Sequence, residues 1–250
     1  MAADCPAGDS PVIGVVTAAG MGRRLGMEMP KALVPVNGTP MITLALSVML
    51  DLPGIAGVVV TAPAEALDVF RNAIPDSSVP VSVVTGGASR QESVWYGLRA
   101  ARTFYPIDQR ECVVLVHDAA RPFQTFAVFD RVVSAVRAGA TSVVPGLPVA
   151  DTIRCLADGR VGSELAGQVV DRAKLRRIQT PQGFAGPDLY RAHATASASG
   201  SSETTAASDD AALLEAIGAR TLIVAGDELG RKITTAADLL WANLTASQVL

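Results

Sequence analysis

The sequence has few cysteines and no long apolar run. Its three cysteines, Cys5, Cys112 and Cys155, are odd in number and far apart, which argues against a disulfide framework and against a cysteine zinc site. No apolar run approaches the roughly 20 residues of a membrane-spanning helix, and the first residues lack the basic flank and apolar stretch of a secretory signal. These absences predict a cytoplasmic protein with reduced cysteines that does not bind membranes.

Charge is also scarce, since only 18% of the residues are charged, against about 25% in an average soluble domain. The 21 basic and 24 acidic side chains leave a net charge of -3, which creates no overall field to attract nucleic acid. With 49% apolar residues in a chain of 250, we expect a single folded domain over 1–250. Any anion binding must therefore depend on a local cluster of cations.

Apolar runs alternate regularly with segments of helical periodicity. The β-branched runs are typical of buried parallel strands and lie at 12–16, 57–61, 81–85, 112–117, 141–145 and 221–225. The segments with apolar residues three and four apart lie at 40–50, 64–73, 90–104, 126–138 and 209–217. This alternation predicts an α/β fold with a doubly wound, mostly parallel twisted sheet, in which ligands bind beyond the carboxyl ends of the strands.

Two stretches depart from the alternation. Residues 151–172 have the pattern of a strand, an Asp158 and Gly159 turn and a returning strand, which predicts a protruding β-hairpin arm. Because an isolated hairpin is marginal in water, we expect the arm to pack on a second subunit in a homodimer. Residues 194–207 are small and polar and predict a mobile surface loop, with His193 nearby at the surface.

A glycine-rich loop directly follows the first predicted strand. It contains Gly20, Gly22 and Gly26 with Arg24 between them, and Lys31 follows. Glycines there allow backbone N–H groups to approach a polyphosphate, and the cations can offset charge on a reacting phosphate. The spacing G-x-G-x-x-x-G differs by one residue from the dinucleotide fingerprint, and it is not a P-loop. A solvated turn is the alternative.

A second glycine turn, at Gly86 and Gly87, follows the predicted strand 81–85. Ser89 is placed to cap the helix that begins at Arg90, and Ser93 lies one turn further on. The backbone of the two glycines can hydrogen-bond the edge of a base, although a plain cap and turn would have the same pattern.

Polar residues end the apolar run 112–117. His117, Asp118 and Arg121 lie where this predicted strand stops. A carboxylate and a guanidinium are costly to bury unpaired, so they pair with each other or with a ligand or metal. We expect Asp118 to bind magnesium or a hydroxyl group, and His117 to be structural rather than a base.

Taken in order, the three motifs resemble the 2-C-methyl-D-erythritol 4-phosphate cytidylyltransferases of the non-mevalonate isoprenoid pathway. Five later segments continue the resemblance to about residue 238: Asp151-Thr152, Val170-Asp171-Arg172, Thr180-Pro181-Gln182, Ser208-Asp209-Asp210-Ala211 and Lys232-Ile233-Thr234. The resemblance implies a Rossmann-like nucleotidyltransferase fold. It also implies that CMP passes from CTP to 2-C-methyl-D-erythritol 4-phosphate, with release of pyrophosphate and a requirement for Mg²⁺.

The resemblance also implies roles for individual residues. Arg24 and Lys31 would be catalytic. The residues implied to bind the nucleotide are Ala18, Ala19, Gly20, Met21, Gly22, Arg24, Lys31, Gly86, Gly87, Arg90, Ser93 and Asp118. Those implied to bind the alcohol phosphate are Asp118, Arg121, Thr152, Arg172, Thr180, Ser208 and Lys232, with Arg172 reaching into the site of the other subunit. The CTP phosphates would supply most of the ligands of the Mg²⁺ ion, and Asp118 would be the ligand from the chain.

The chain departs from the family pattern at a few positions. Ala32 and Leu33 stand where the family often has Gln and Tyr, Ser208 replaces a usual Thr, and Arg231 replaces a usual Asn beside Lys232. Other interpretations stay open, namely transfer of a nucleotide to ribitol 5-phosphate or another sugar phosphate, a dinucleotide-dependent oxidoreductase, and a non-catalytic nucleotide-binding domain. The cation cluster counts against the oxidoreductase.

Overall fold

The computed structural model describes residues 10–160, 162–198 and 209–249. The strands of this part of the chain are β1 (Val12–Thr17), β2 (Pro35–Val36), β3 (Thr39–Pro40), β4 (Ile55–Ala62), β5 (Val81–Thr85), β6 (Val113–Asp118), β7 (Ser142–Pro148), β8 (Ile153–Arg160), β9 (Ser163–Val170), β10 (Arg176–Ile178), β11 (Gln182–Ala185) and β12 (Thr221–Ala225). The α-helices are α1 (Met41–Leu50), α2 (Leu67–Asn72), α3 (Arg90–Ala101), α4 (Phe126–Arg137), α5 (Gly186–Ala198), α6 (Asp210–Ala216) and α7 (Ala236–Val249).

The central sheet has the strand order β10-β7-β11-β6-β1-β4-β5, and β12 also pairs with β7. Strand β1 runs parallel to both β4 and β6, β4 to β5, and β12 to β7. Strands β10 and β11 run antiparallel to their neighbours. The predicted fold class is confirmed, and all six predicted strands lie in this sheet. Strands β10 and β11 were not predicted, because they have only three and four residues and contain no β-branched run.

Helices cover both faces of the sheet. Val12 and Val16 of β1 pack in one apolar cluster with residues of α1, α2 and α4. Ile13 and Val15 pack in a second cluster with residues of α3, α5 and α6. A Cβ atom on Gly97 would lie 2.6 Å from Cγ1 of Val15, so only glycine lets α3 approach β1 this closely. Burial on both faces explains the continuous apolar run of β1.

A third apolar cluster joins α7 to the glycine-rich loop. It contains Leu25 from the loop, Met41 from α1, Ile233, and Ala242 and Ala246 from α7. Leu25 is 6% exposed. The loop that carries Arg24 is therefore anchored to the body of the domain by its neighbouring leucine.

Strands β8 and β9 form a separate two-stranded sheet, which confirms the predicted hairpin. The predicted turn at Asp158 and Gly159 is wrong, because these residues pair with Leu165 and Glu164 inside the ladder. The chain reverses between β8 and β9, where Gly162 has φ +87°. Glycine adopts this left-handed conformation without steric cost, so Gly162 is suited to this turn.

Residues 194–198 belong to α5, so the predicted surface loop at 194–207 is wrong over this part. Alanine at three of these five positions has the highest helix propensity, which extends the helix. The remainder of the predicted loop, and Ser208, lie outside the described residues. None of the described helices combines the length and apolarity needed to cross a membrane. The cytoplasmic location stays a prediction.

Candidate active site

A cavity of about 320 Å³ opens at the carboxyl ends of β1 and β6. This is where an open parallel sheet binds its ligands. The predicted residues that line the cavity are Ala18, Ala19, Gly20, Met21, Arg24, Lys31, Gly87, Arg90, Ser93, Asp118 and Lys232. The lining residues that the sequence did not predict as ligand-binding are Thr17, Ala32, Ala88, Ser89, Ala119 and Ala120. The structure thus brings most of the three motifs and Lys232 to one site.

The glycine-rich loop folds back on itself along one wall of the cavity. The Lys31 N–H donates to the Gly20 carbonyl at 2.9 Å, and the Gly22 N–H donates to the Met29 carbonyl at 3.1 Å. These two hydrogen bonds hold Lys31 beside Gly20, although the two residues are eleven positions apart in the sequence. Arg24 is exposed on the intervening turn, and no carboxylate in the described part of the chain pairs with it. Its guanidinium is therefore available to an anionic ligand.

Lys31 is half-buried in this wall. Burial, Lys232 and Arg24 lower the pKa of Lys31 to about 8. Three cations gathered at one cavity repel each other and disfavour the protonated form of the amine. A bound polyphosphate would reverse this effect because its negative charge favours the ammonium form.

Asp118 ends β6 at the floor of the cavity and is 5% exposed. Its Oδ2 atom lies 2.7 Å from Lys232 Nζ and 3.9 Å from Arg121 Nε. Its Oδ1 atom accepts hydrogen bonds from Arg90 Nε at 3.3 Å and from Thr17 Oγ1 at 3.2 Å. Burial alone would raise the pKa of this carboxyl, but Arg90, Lys232 and Arg121 hold it well below its usual range.

The second glycine turn is built around Ser93 at the start of α3. Ser93 Oγ accepts from the Gly87 N–H at 3.0 Å and donates to the Ser89 carbonyl at 2.9 Å. Ser89 also caps α3, since its Oγ accepts from the Glu92 N–H. Gly86 lies behind the lining, and a Cβ atom there would be 2.6 Å from Cβ of Ala19. The two glycine loops are therefore in direct contact.

Arg90 contacts two buried carboxylates, those of Asp118 and Asp210. Its Nη1 atom lies 2.6 Å from Asp210 Oδ2, in addition to the contact with Asp118. Burial acts to lower the pKa of the guanidinium, but Asp210 and Asp118 outweigh burial and raise it above its ordinary value. Asp210 was missed as a functional residue, although the resemblance already included the segment Ser208-Asp209-Asp210-Ala211.

His193 was predicted at the surface and is instead 1% exposed, so that prediction is wrong. Its Nε2 atom lies 3.0 Å from Asp210 Oδ1. The helix that the sequence placed near a loose loop is α5, which packs against α3 and α6 and encloses the imidazole between them.

Two predicted substrate-binding residues, Arg121 and Thr180, lie beside the cavity without lining it. Arg121 donates to the carbonyls of Gly230 at 2.7 Å and Ile178 at 3.4 Å. Thr180 Oγ1 accepts from the Asp118 N–H at 3.0 Å and contacts His117 Nδ1 at 3.0 Å. Burial lowers the pKa of His117 to about 4, so this histidine is neutral at pH 7. In this state of the protein Arg121 and Thr180 brace the floor of the cavity.

Thr152 and Arg172 lie at the base of the arm and do not line the cavity of their own chain. Arg172 donates from Nη1 to the Ala150 carbonyl, and both residues are exposed. Gly22 likewise does not line the cavity, and its N–H donates to the Met29 carbonyl. These three residues are not brought to the site within one chain.

Arg231 points away from its neighbour Lys232. Its guanidinium lies 2.6 Å from Asp238 Oδ1 and 5.4 Å from the centre of the Trp241 ring. The extra cation of this chain is therefore paired outside the cavity, which leaves Lys232 as the cation that contacts Asp118 from this segment.

A known protein family matches the part of the chain that contains the cavity. The sequence model of the family described as 2-C-methyl-D-erythritol 4-phosphate cytidylyltransferase matches residues 12–248. A protein of that name from Streptomyces avermitilis is 42% identical over 234 residues, which cover 91% of this chain and 88% of the relative. Another from Saccharopolyspora erythraea is 44% identical over 231 residues, covering 91% of this chain and 96% of the relative.

Solved structures give the same result. The crystal structure of 2-C-methyl-D-erythritol 4-phosphate cytidylyltransferase from Thermus thermophilus matches with a TM-score of 0.73 and 34% identity, covering 96% of this chain and 99% of that chain. The sequence match and the fold match each span nearly the whole domain, including every segment that lines the cavity. The chain therefore belongs to the 2-C-methyl-D-erythritol 4-phosphate cytidylyltransferase family.

Proposed function

We propose that this protein is an enzyme that transfers CMP from CTP to 2-C-methyl-D-erythritol 4-phosphate. An oxygen of the substrate phosphate attacks the α-phosphorus of CTP and forms a new P–O bond. The bond from the α-phosphorus to the oxygen that bridges to the β-phosphate breaks, and pyrophosphate leaves. The observation that carries the proposal is the convergence of Arg24, Lys31 and Lys232 on one cavity lined by a glycine-rich loop, in a chain of this family.

Both reactants are anions that repel each other, and the cations of the cavity can offset this repulsion. Arg24 and Lys31 lie on the loop that would surround the triphosphate, and they can offset the charge that develops at the α-phosphate. Lys232 lines the same cavity, where it would attract the second phosphate. Holding both anions in one orientation supplies a further rate gain, since effective molarities can reach ~10⁵ M or more.

The second glycine turn gives the cavity an end suited to a base. The hydrogen bonds of Ser93 fix Gly87 and Ser89, so the backbone there is preorganised before a ligand arrives. Arg90 lines the cavity beside this turn. We assign the cytosine ring to Gly86, Gly87, Arg90 and Ser93, and the ribose or alcohol hydroxyl groups to Asp118.

The described residues do not fit a resident magnesium ion. None of them form a cluster of three or more histidine, cysteine or acidic side chains able to hold a metal, and Asp118 is already surrounded by Arg90, Lys232 and Arg121. A dication would have to compete with these three cations for one carboxylate. The predicted Mg²⁺ would therefore arrive coordinated by the CTP phosphates, as magnesium commonly binds.

The arm supports the predicted homodimer. Leu156, Leu165 and Val169 on β8 and β9 are 70%, 64% and 56% exposed, and an apolar ribbon of this kind is marginal unless another surface covers it. We propose that a second copy of the chain covers the arm and that Arg172 and Thr152 reach the cavity of that copy. This arrangement accounts for their distance from the cavity of their own chain.

A pyrophosphate-release assay tests the proposed function. The protein is mixed with CTP, ATP, GTP or UTP, and with 2-C-methyl-D-erythritol 4-phosphate or ribitol 5-phosphate. We expect pyrophosphate with CTP and the methylerythritol phosphate and little with the other pairs. Release only with ribitol 5-phosphate would support the related cytidylyltransferase instead, and saturable NADH binding without pyrophosphate would support the oxidoreductase, which no comparison favours.

A further inference from the structure

Two buried residues outside the cavity lining, Asp210 and His193, form a line of contacts that ends at Arg90. Arg90 Nη1 lies 2.6 Å from Asp210 Oδ2, and Asp210 Oδ1 lies 3.0 Å from His193 Nε2. The side chains of Asp210 and His193 are each 1% exposed. Neither residue lines the cavity, so this line of contacts runs from the interior of the domain to a guanidinium in the cavity wall.

The imidazole of His193 is costly to bury at this position. Its Nδ1 atom has no hydrogen-bond partner among the described residues, and an unpaired buried polar atom destabilises the folded state. The ring stacks against Trp95 with an interplanar angle of 4°, a contact that an apolar side chain would also make. Within the described chain, the specific interaction of His193 is its contact with Asp210.

Asp210 is the closer of the two carboxylates that contact Arg90. Its Oδ2 atom is 2.6 Å from the guanidinium, whereas Asp118 Oδ1 is 3.3 Å away. Asp118 is also shared with Lys232, so it cannot fix Arg90 by itself. The orientation of the Asp210 carboxylate therefore sets where the guanidinium lies.

We infer that His193 is a positioning residue for Arg90, because its Nε2–H group donates to Asp210 and fixes the carboxylate that orients the guanidinium in the nucleotide end of the cavity. The inference rests on the proposed function, in which Arg90 contacts CTP. Without the imidazole donor, Asp210 Oδ1 loses its partner and the carboxylate can rotate. Arg90 then spends more time against Asp118 and less in the orientation that binds the nucleotide.

Variants at position 193 separate positioning from packing. His193→Leu removes the donor and keeps an apolar side chain, whereas the side-chain amide of His193→Gln places an N–H donor near the position of Nε2. We expect His193→Leu to weaken CTP binding about 10-fold, with the KM for the alcohol phosphate changed by less than about 3-fold. His193→Gln should restore CTP binding to within about 3-fold of wild type.

A matched control lies on the same helix. Asp188 pairs with Arg191 on the exposed face of α5, so Asp188→Asn removes a carboxylate from α5 without touching Arg90. Calorimetric titration with CTP gives the dissociation constant, pyrophosphate release gives the two KM values, and thermal unfolding shows that each variant is folded. His193→Asn, whose shorter amide does not reach Asp210, gives the same readout where His193→Leu does not fold.

A double-mutant cycle tests the route through Arg90. In an Arg90→Ala background we expect His193→Leu to cause no further loss of CTP affinity. The inference is overturned if His193→Leu still weakens binding about 10-fold there, if His193→Gln behaves like His193→Leu, or if both KM values rise together with a lowered melting temperature.

The same measurements keep the two proposals apart. A wild-type protein that binds CTP and releases no pyrophosphate contradicts the proposed function, while the effect of His193 on the CTP dissociation constant is still measured. An active wild-type enzyme whose His193→Leu variant keeps its CTP affinity overturns the inference alone.

Discussion

Lys232 Nζ lies 2.7 Å from Oδ2 of Asp118, and this carboxylate is also the counterion of Arg90 and Arg121. One buried negative charge thus holds three cations at the floor of the cavity. Breaking a fully buried pair by removing one partner costs about 3–5 kcal/mol because the other charge is left uncompensated. Since the side chains of Lys232 and Arg90 are 40% and 30% exposed, we expect the lower end of that range here. The stability of the fold and the placement of the cations that we propose to bind the substrates therefore depend on the same residue.

Asp118→Asn should lower the free energy of unfolding by about 3 kcal/mol, measured by chemical denaturation. The amide keeps the shape of the side chain and removes its charge, so Lys232, Arg90 and Arg121 repel each other. Asp188→Asn on the surface of α5 is the control, and its exposed pair with Arg191 should contribute no more than about 1 kcal/mol. Equal effects of the two substitutions would contradict a special role for Asp118.

The pKa of Lys31, lowered to about 8 by burial, Lys232 and Arg24, predicts an alkaline limb in the activity. Transition-state stabilisation needs the ammonium form, which is lost as the pH rises through about 8. We expect kcat/KM for CTP to fall above that pH. The free energy of unfolding should change in the opposite direction. Between about pH 8 and the unfolded pKa of about 10.4, the unfolded chain keeps the proton that the folded chain loses, so the contribution of Lys31 to stability rises with pH. A pH profile and denaturation at several pH values measure the two trends.

Lys232→Met identifies the group responsible for this limb. Since the charge of Lys232 is one cause of the lowered pKa of Lys31, its removal should move the limb to higher pH, even though the rate itself falls. Lys31→Arg should abolish the limb in this range because arginine stays protonated. A limb at the same pH in all three proteins would assign it to another group.

The course of the parallel strands could be predicted from the sequence because runs such as 12–16 are buried on both faces and therefore have no polar side chain at any of their positions. His193 could not be placed, since a single polar residue in a helix has the same local pattern at the surface and in the core. Its burial is decided by Asp210, a partner seventeen positions away. The position of the turn in the arm was also mispredicted because it depends on contacts between distant residues. Both Gly159 and Gly162 are compatible with a turn, and the pairing of β8 with β9 places Gly162 there.

The glycines of the two loops should respond differently to alanine. A Cβ atom on Gly20 meets no atom within 4 Å, whereas one on Gly86 meets Ala19 Cβ at 2.6 Å and Ser93 Oγ at 3.1 Å. We expect Gly20→Ala to keep the melting temperature and to raise the KM for CTP, since the new methyl group lies at the lining of the cavity. Gly86→Ala should lower the melting temperature, because the two loops must move apart.

Thermal unfolding and CTP kinetics on the two alanine variants test this contrast. A lowered melting temperature for Gly20→Ala with an unchanged KM would show that this glycine serves the fold and not the ligand. An unchanged melting temperature for Gly86→Ala would show that the contact with Ala19 is relieved without cost.

The arm gives a prediction that depends on two subunits. If Arg172 completes the cavity of the second copy, Arg172→Ala and Lys31→Ala each inactivate the homodimer by damaging different halves of a shared site. In a hybrid of the two variants, one cavity has both substitutions and the other has neither. Random exchange at equal amounts makes half of the dimers hybrid, so about a quarter of the wild-type activity should return. Each variant alone is the control, and subunit exchange is followed with two affinity tags. No recovery in a mixture that demonstrably contains hybrids would place Arg172 in the cavity of its own chain, which would then require the arm to bend back toward Asp118.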